Sequence, residues 1–204
     1  MEGGLLIVVS GPSGVGKGTV CRALLRKNPE LKVSVSMTTR VPRRGEVEGR
    51  SYFFSDRKTF LKLIEEDAFL EWAEIYGDYY GTPRRFLAQE VMQGKDIILE
   101  IDTQGARQVR KALDGGVFIF LVPPSLAELK LRITKRGTET PQAISKRLAF
   151  VMEEMNSLDI YDYVVLNDSV EQAARRINAI ITAEKCSIVR NKNLIENIIK
   201  GGQR

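Results

Sequence analysis

The stretch that decides the fold is residues 5–19, LLIVVSGPSGVGKGT. It begins with an apolar run typical of a buried strand and leads into a helical pattern over residues 20–26. Between them, Gly11, Gly16 and Lys17 have the spacing of a phosphate-binding loop. Such glycines let backbone N–H groups point inward at a phosphate chain, to which the helix N-terminus adds positive potential. A tight turn without a ligand is the alternative, but the flanking strand and helix favour the phosphate site.

Four more apolar runs predict strands, and capping signals predict helices between them. The strands are residues 31–37, 97–101, 117–122 and 163–166, and the helices are about 83–93, 126–136, 141–158 and 169–187. The predicted helix starts are Thr82-Pro83, Ser125 with Glu128, Thr140-Pro141 and Asp168 with Glu171. Near-continuous apolar strands between helices favour an α/β fold with a parallel sheet covered on both faces.

Two segments depart from this alternation. Residues 38–82 are rich in Arg, Glu, Gly and aromatic residues, with one clear helix near 58–67, and are interpreted as a lobe inserted into the sheet. The predicted core is therefore residues 1–37 and 83–187. Residues 188–204 are a polar, basic tail with an Ile/Leu stripe, expected to be docked or frayed.

Composition excludes several classes of protein. The chain has 204 residues and no histidine, which rules out Ser-His-Asp and Cys-His catalysis and any His-ligated metal. Cys21 and Cys186 are too few for a four-cysteine zinc site and are expected to be reduced thiols. The longest apolar run, residues 117–122, is far too short to span a membrane, and the first run, residues 5–9, follows Glu2 without a basic flank, so neither a membrane span nor a signal peptide is predicted, and we expect a cytoplasmic protein. The net charge of +5 suits anionic ligands and solubility equally well.

A second candidate anion site follows the second predicted strand. Arg40 and Arg43 stand three residues apart, and Tyr52 comes shortly after them. Two guanidinium groups and a phenol hydroxyl can clamp one phosphate monoester. A solvated basic loop is the alternative interpretation.

Several motifs in order resemble one family. After the phosphate loop come TTR-PR at 38–43, YF at 52–53, LEW at 70–72, YYGT at 79–82, EIDTQG at 100–105, PPS at 123–125, RGTE at 136–139 and VLND at 165–168. From about Leu5 to Glu184 the chain resembles the guanylate kinases. The resemblance implies a P-loop kinase core, an inserted GMP-binding lobe at 38–82, a mobile lid at about 136–147, and ATP with Mg²⁺ as co-substrate.

The resemblance also implies roles for single residues. The guanine of GMP or dGMP would face Ser36, Glu71, Thr82 and Asp102, and its phosphate Arg40, Arg43, Tyr52 and Tyr80. ATP would be bound by Gly11, Pro12, Ser13, Gly14, Val15, Gly16, Lys17, Gly18, Thr19, Arg132, Arg136 and Asn167, with Asn167 near the adenine and Arg147 closing on the phosphates. The catalytic cations would be Lys17, Arg40, Arg43, Arg136 and Arg147.

The guanine assignment also agrees with the chemistry of one carboxylate. Guanine presents an N1–H and a 2-amino group side by side, and Glu71 can accept both, whereas adenine would leave it unpaired. A surface carboxylate on a helix is the other interpretation of Glu71. Gly18 stands where a hydroxyl residue is expected to hold magnesium, so either Thr19 supplies that oxygen or the metal is held mainly by phosphates and waters.

The expected reaction is an in-line attack by a GMP phosphate oxygen on the γ-phosphorus of ATP. That oxygen is already anionic near neutral pH, so positioning and charge neutralisation replace a histidine base. Three rival functions remain: a kinase for another nucleoside monophosphate, a kinase-dead binding module, and a nucleic-acid-binding protein. The last lacks a recognition motif, so no nucleic-acid partner is expected. The sequence does not distinguish a monomer from a homo-oligomer.

Overall fold

Two sheets organise the computed structural model, which describes residues 4–75, 77–85, 87, 93–134, 148–149, 151–152, 154–155 and 158–201. The strands are β1 (Leu6–Ser10), β2 (Lys32–Val33), β3 (Met37–Thr38), β4 (Phe53–Phe54), β5 (Phe69–Ile75), β6 (Asp78–Pro83), β7 (Ile97–Glu100), β8 (Val117–Val122) and β9 (Tyr163–Leu166). The helices are α1 (Lys17–Lys27), α2 (Arg57–Glu65), α3 (Thr103–Ala112), α4 (Leu126–Thr134), α5 (Val170–Lys185) and α6 (Lys192–Ile199), with a 3₁₀ turn at Ile188–Arg190. Residues 84–85, 87, 148–149, 151–152 and 154–155 are also helical.

The main sheet is parallel, in the order β2-β7-β1-β8-β9, which confirms the predicted fold class. Alternate residues of β1 face opposite layers: Ile7 packs with Leu24 of α1 and Ile177 of α5, whereas Val8 packs with Val109 of α3. Each such fully buried aliphatic side chain contributes about 1.5–3 kcal/mol. Because β1 lies between β7 and β8, the loops after β1 and β7 meet at the carboxyl edge of the sheet, where ligands of such folds bind.

The second sheet has the order β4-β3-β6-β5 and is built from the segment predicted to be inserted. Helix α2 begins after Asp56, whose side chain accepts a hydrogen bond from the Thr59 N–H. The α2 residue Phe60 is fully buried, with ring centroids 4.4 Å from Phe69 and 5.4 Å from Tyr79. This small aromatic core lies apart from the two layers of the main sheet.

Three local predictions were wrong. The strand expected over 31–37 is two strands. Its first part pairs with β7 as β2, and after Ser34 the chain leaves the main sheet and joins the second sheet as β3. The alternation of polar and apolar residues therefore coincides with the passage from one sheet to the other. Thr82 does not cap a helix, because it lies in β6 and its hydroxyl serves a buried carboxylate. Asp168 does not cap α5: the N-cap is Ser169, and the Asp168 carboxylate binds Arg176 at 2.8 Å.

Two other expectations, on the helix start at Ser125 and on the cysteines, were confirmed. Ser125 Oγ accepts from the Glu128 N–H at 3.1 Å, which is half of the predicted capping box. Both cysteines are free thiols. Among the described residues, no helix has the length and apolar character that a bilayer span requires. The tail helix α6 carries the Ile/Leu stripe on an exposed face, and the predicted start at Thr140-Pro141 lies outside the described residues.

Candidate active site

The loop between β1 and α1 has the conformation of a phosphate cradle. Gly11 and Gly16 adopt positive φ angles of 141° and 100°, and a Cβ atom on Gly11 would lie 2.3 Å from the carbonyl oxygen of Leu121. Both positions therefore require glycine. Helix α1 begins at Lys17, directly after Gly16, so its free N–H groups face the loop. The Lys17 Nζ folds back and donates to the Gly11 carbonyl at 2.6 Å.

Two of the residues expected to contact ATP hold this loop from behind. The Asn167 side-chain amide donates to the Val15 carbonyl at 2.7 Å, and Arg132 reaches the same carbonyl at 3.3 Å. Arg132 is itself held by Glu128 at 3.0 Å. Asn167 is 2% exposed. In this structure both side chains therefore support the backbone of the loop.

Arg40 and Arg43, which follow β3, lie in different environments. The Arg40 Nη2 donates to both carboxylate oxygens of Glu46, at 2.8 and 3.0 Å, and the guanidinium lies 5.5 Å from the centre of the Tyr52 ring. Burial alone would raise the pKa of Glu46, but the hydrogen bonds from the Arg40 side chain and the Arg43 backbone, together with the charges of both arginines, outweigh it and the pKa lies below its usual range. Arg43 is exposed and contributes its backbone N–H to Glu46. The Arg40 side chain is therefore held by an ion pair, whereas the Arg43 side chain is exposed to solvent.

The tyrosines of the expected phosphate clamp lie together. The ring centroids of Tyr52 and Tyr80 are 6.1 Å apart in an edge-on arrangement. Burial, followed by the nearby Glu100 carboxylate, raises the pKa of Tyr52 to about 12. The Tyr52 hydroxyl therefore keeps its proton at neutral pH and can donate it to an anion.

Glu71 lies on β5, not on a surface helix, and is 4% exposed. Its Oε1 accepts from the Thr82 hydroxyl at 2.6 Å. Burial, with a smaller effect of the Asp102 carboxylate, raises the pKa of Glu71 to about 7. Asp102 caps α3 by accepting from the Gly105 N–H at 2.8 Å, and burial raises its pKa as well. Two largely buried carboxyl groups with raised pKa values therefore face the same space.

A cavity of about 230 Å³ joins the loop to these carboxyl groups. Its lining includes Ser13 and Lys17 from the loop and, among the residues expected to bind GMP, Ser36, Tyr52, Glu71, Tyr80 and Asp102. Thr82, Arg40 and Arg43 do not line the cavity: Thr82 lies behind Glu71, and Arg40 lies against Tyr52. The two predicted sites are therefore parts of one space between the two sheets.

The cavity also contains residues to which sequence analysis gave no role: Glu100, Thr103, Gln104 and Glu154. The Glu100 carboxylate oxygens lie 3.1 and 3.2 Å from where a Cβ of Gly18 would be. Burial raises the pKa of Glu100, and Lys17 opposes the shift. A carboxylate ending the apolar run 97–100 at the carboxyl edge of a parallel sheet is a signal that could have identified Glu100. Glu154 carries no comparable local signal.

Part of the predicted site lies outside the described residues. This is the case for Arg136, Arg147 and the lid predicted at 136–147. Thr19, one of the two predicted sources of magnesium ligands, is exposed, and its hydroxyl accepts from Arg22 at 3.3 Å.

Comparison with known proteins gives a consistent result. A model of the guanylate kinase family matches residues 4–184. A guanylate kinase of Caldanaerobacter subterraneus subsp. tengcongensis is 55% identical over 191 residues, covering 94% of this chain and 93% of the relative. One from Halalkalibacterium halodurans is 55% identical over 195 residues, covering 96% and 94%. The crystal structure of guanylate kinase from Anaplasma phagocytophilum superposes with a TM-score of 0.79 at 35% identity, covering 96% of this chain and 95% of that one.

Proposed function

The chain belongs to the guanylate kinase family and phosphorylates GMP with ATP, and we propose that the cavity between its two sheets is where the reaction takes place. The observation that carries the proposal is the meeting of the phosphate loop with the buried Glu71 and Asp102 in one space. We further propose that residues 38–82 form the GMP-binding lobe and that the main sheet and its helices bind ATP. None of the proposed contacts involves the ribose 2′-hydroxyl, so dGMP is a second acceptor. ATP and GMP are cytoplasmic nucleotides, and we propose that compartment for the reaction.

Glu71 supplies the base specificity in this proposal. An ionised carboxylate accepts from guanine N1–H and the 2-amino group, and the buried Glu71 lines the cavity in which the base would bind. Thr82 holds Oε1 and so fixes the plane of the carboxylate. Asp102 and Ser36 line the same part of the cavity and complete the base pocket. Because the pKa of Glu71 is about 7, GMP binding near neutral pH releases part of a proton.

The phosphate of GMP is proposed to bind where Arg40, Tyr52 and Tyr80 converge, with the exposed Arg43 closing from the loop. Without nucleotide, Arg40 is paired with Glu46, so the phosphate must compete with that carboxylate for the guanidinium. A phosphate dianion offers more oxygen acceptors than one carboxylate, which favours the exchange. Arg40 is thus held close to its working position before the substrate arrives.

In the transfer step, a GMP phosphate oxygen forms a bond to the γ-phosphorus of ATP while the bond from that phosphorus to the bridging β,γ-oxygen breaks. ADP leaves with the bridging electrons, and GDP is the other product. Lys17 is proposed to move from the Gly11 carbonyl to the terminal phosphates. Backbone N–H groups of residues 13–19 neutralise the remaining negative charge of the ATP phosphates. Such preorganised donors account for most catalysis in phosphoryl transfer. Arg136 and Arg147 remain predicted contributors outside the described residues.

Magnesium fits the donors near the loop. The ion prefers oxygen ligands, retains several waters and is bound through one or two carboxylates plus substrate phosphates. The Glu100 carboxylate, beside Gly18 and facing Lys17, matches this pattern better than the exposed Thr19, and we propose that it holds the ion directly or through water. Among the described residues, no three acidic or cysteine side chains form a metal cage by themselves. When bound, magnesium neutralises phosphate charge.

The test is ADP release from ATP and magnesium, with GMP, dGMP, AMP, CMP and UMP compared as acceptors. We expect fast turnover with GMP and dGMP alone. A preference for AMP or a pyrimidine would retain the kinase and overturn the base pocket. The absence of turnover with every acceptor, in protein whose circular dichroism shows it folded, would favour a binding module.

A further inference from the structure

Helix α3 joins the main sheet to the edge of the second sheet through one side chain. The Gln108 amide nitrogen donates to the Trp72 carbonyl at 2.6 Å, and the Trp72 N–H donates to Gln108 Oε1 at 3.0 Å. Trp72 lies on β5, the edge strand of the second sheet. The Gln108 amide thus binds both backbone groups of one residue, as a neighbouring strand would.

One turn earlier, α3 comes into contact with the carboxylate next to Trp72. A Cβ atom on Gly105 would lie 2.3 Å from Glu71 Oε2, closer than two such atoms can approach. The Glu71 side chain therefore occupies the space that any other residue at position 105 would need. Gly105 and Gln108 are three apart on α3 and so lie on the same face of the helix.

These contacts act where the regular pairing of β5 begins. The register of β5 against β6 shifts between Phe69 and Glu71, and the pairing is regular from Glu71, opposite Thr82, to Ile75. The pairing places the backbone of Glu71, and its carboxylate is held from three sides. Thr82 binds Oε1, Gly105 leaves room for Oε2, and Gln108 fixes the backbone of the following residue.

We propose that Gln108 and Gly105 are positioning residues that set the guanine specificity of the site by fixing the Glu71 carboxylate against α3. The proposal rests on the proposed function, because it requires that Glu71 receives the base. Asp102 caps the same helix, so α3 carries one of the two base-facing carboxyl groups and positions the other. The distance between the two groups is thereby set by one rigid element.

The test compares GMP with inosine monophosphate, which has the same phosphate, ribose and N1–H but lacks the 2-amino group. A correctly placed Glu71 accepts two hydrogen bonds from GMP and one from inosine monophosphate. The ratio of kcat/KM for the two acceptors therefore reports the position of the carboxylate. A loss of stability or of ATP binding lowers both values together and leaves the ratio unchanged.

Two substitutions displace the carboxylate by different routes. Gly105→Ala places a methyl group where Oε2 lies, on a helix whose backbone accepts alanine. Gln108→Leu removes both bonds to Trp72 at similar volume. We expect the GMP to inosine monophosphate ratio to fall about 5- to 150-fold in each, with KM for GMP rising and KM for ATP unchanged. Gln108→Glu keeps the acceptor for the Trp72 N–H and should retain part of the ratio.

The control is Lys111→Leu, at an exposed position on the same helix, which should keep the full ratio. The proposal is overturned if folded Gly105→Ala and Gln108→Leu proteins lose both acceptors equally or keep the wild-type ratio. Equal use of both acceptors by the unsubstituted protein would overturn the base contact of Glu71 itself, and this proposal with it. Should Gly105→Ala fail to fold, Gln108→Leu decides alone.

Discussion

Replacing the buried Glu71 with glutamine should weaken GMP binding and stabilise the protein without nucleotide. Glu71 has a pKa of about 7 in the folded chain, against 4.5 for an ordinary glutamate. A carboxyl group whose folded pKa is raised destabilises the fold when it is ionised. The destabilisation is absent well below pH 4.5, grows between pH 4.5 and 7, and is complete above pH 7.

The magnitude follows from the two pKa values. At pH 8.5 the ionised Glu71 destabilises the folded state by about 3 kcal/mol, and at pH 5 by about 1 kcal/mol. Glutamine can still accept the Thr82 hydrogen bond but carries no charge. We therefore expect the stability of Glu71→Gln relative to wild type to increase by about 2 kcal/mol between pH 5 and 8.5, or about 4–8 °C in Tm.

GMP binding should change in the opposite direction. The glutamine amide can accept from guanine N1–H, but its NH₂ opposes the 2-amino group, so we expect a loss of about 1–3 kcal/mol, or 5- to 150-fold in Kd. In wild type the Kd for GMP should also rise about tenfold for each pH unit below 7, because the carboxyl group must lose its proton to accept both bonds. The part of that pH dependence that comes from Glu71 should disappear in Glu71→Gln, which leaves only the titration of the GMP phosphate, whose second pKa is about 6.

Urea unfolding at pH 5 and 8.5 and calorimetric titration with GMP and ATP measure these quantities. Glu65→Gln is the control, because Glu65 is an exposed carboxylate on α2 and does not line the cavity. The reasoning is refuted if Glu71→Gln shows no greater gain in stability at pH 8.5 than at pH 5. Equal losses of GMP and ATP affinity would refute the assignment of the base pocket.

Three further predictions concern the loop, the metal and the second core. Lys17→Met should lower kcat in the ADP-release assay by about 10²–10³-fold or more with an unchanged circular dichroism spectrum, and retention of most activity would contradict the phosphate role. Gly18→Ala should raise the magnesium concentration for half-maximal activity about 2- to 10-fold by crowding Glu100, whereas an unchanged magnesium titration would argue against that ligand. Phe60→Ala should cost about 3–5 kcal/mol in urea unfolding, against a small effect of Leu61→Ala at an exposed position of the same helix.

The fold could be predicted wherever the chain carries its own local signal. Apolar runs without interruption, such as residues 117–122, are buried on both faces of the main sheet, and their assignment as parallel strands was correct. The run over 31–37 was misassigned because an alternation of polar and apolar residues indicates only that one face of a strand is exposed to solvent. It does not record that the chain passes from one sheet to another at Ser34.

The prediction of helix starts from local sequence patterns is limited in the same way. A hydroxyl followed by proline predicted a cap at Thr82, and the pattern would suit a helix start. The structure assigns that hydroxyl to Glu71 instead, because a buried carboxylate needs a donor more than an exposed helix end does. Whether the Thr82 hydroxyl caps a helix or binds a carboxylate depends on which groups are buried beside it. The neighbouring residues in the sequence do not indicate this.

The sequence by itself determined the phosphate loop, because its glycines, Lys17 and the following helix are adjacent in the chain and their geometry is set by backbone sterics. The state of the base pocket was decided by tertiary structure alone. Thr82 is 11 residues from Glu71, Gln108 is 36 residues from Trp72, and Asn167 is 152 residues from Val15. Desolvation and hydrogen bonding act over a few ångströms of space, so the pKa of Glu71 and the placement of its carboxylate follow from packing that periodicity and motif spacing do not encode.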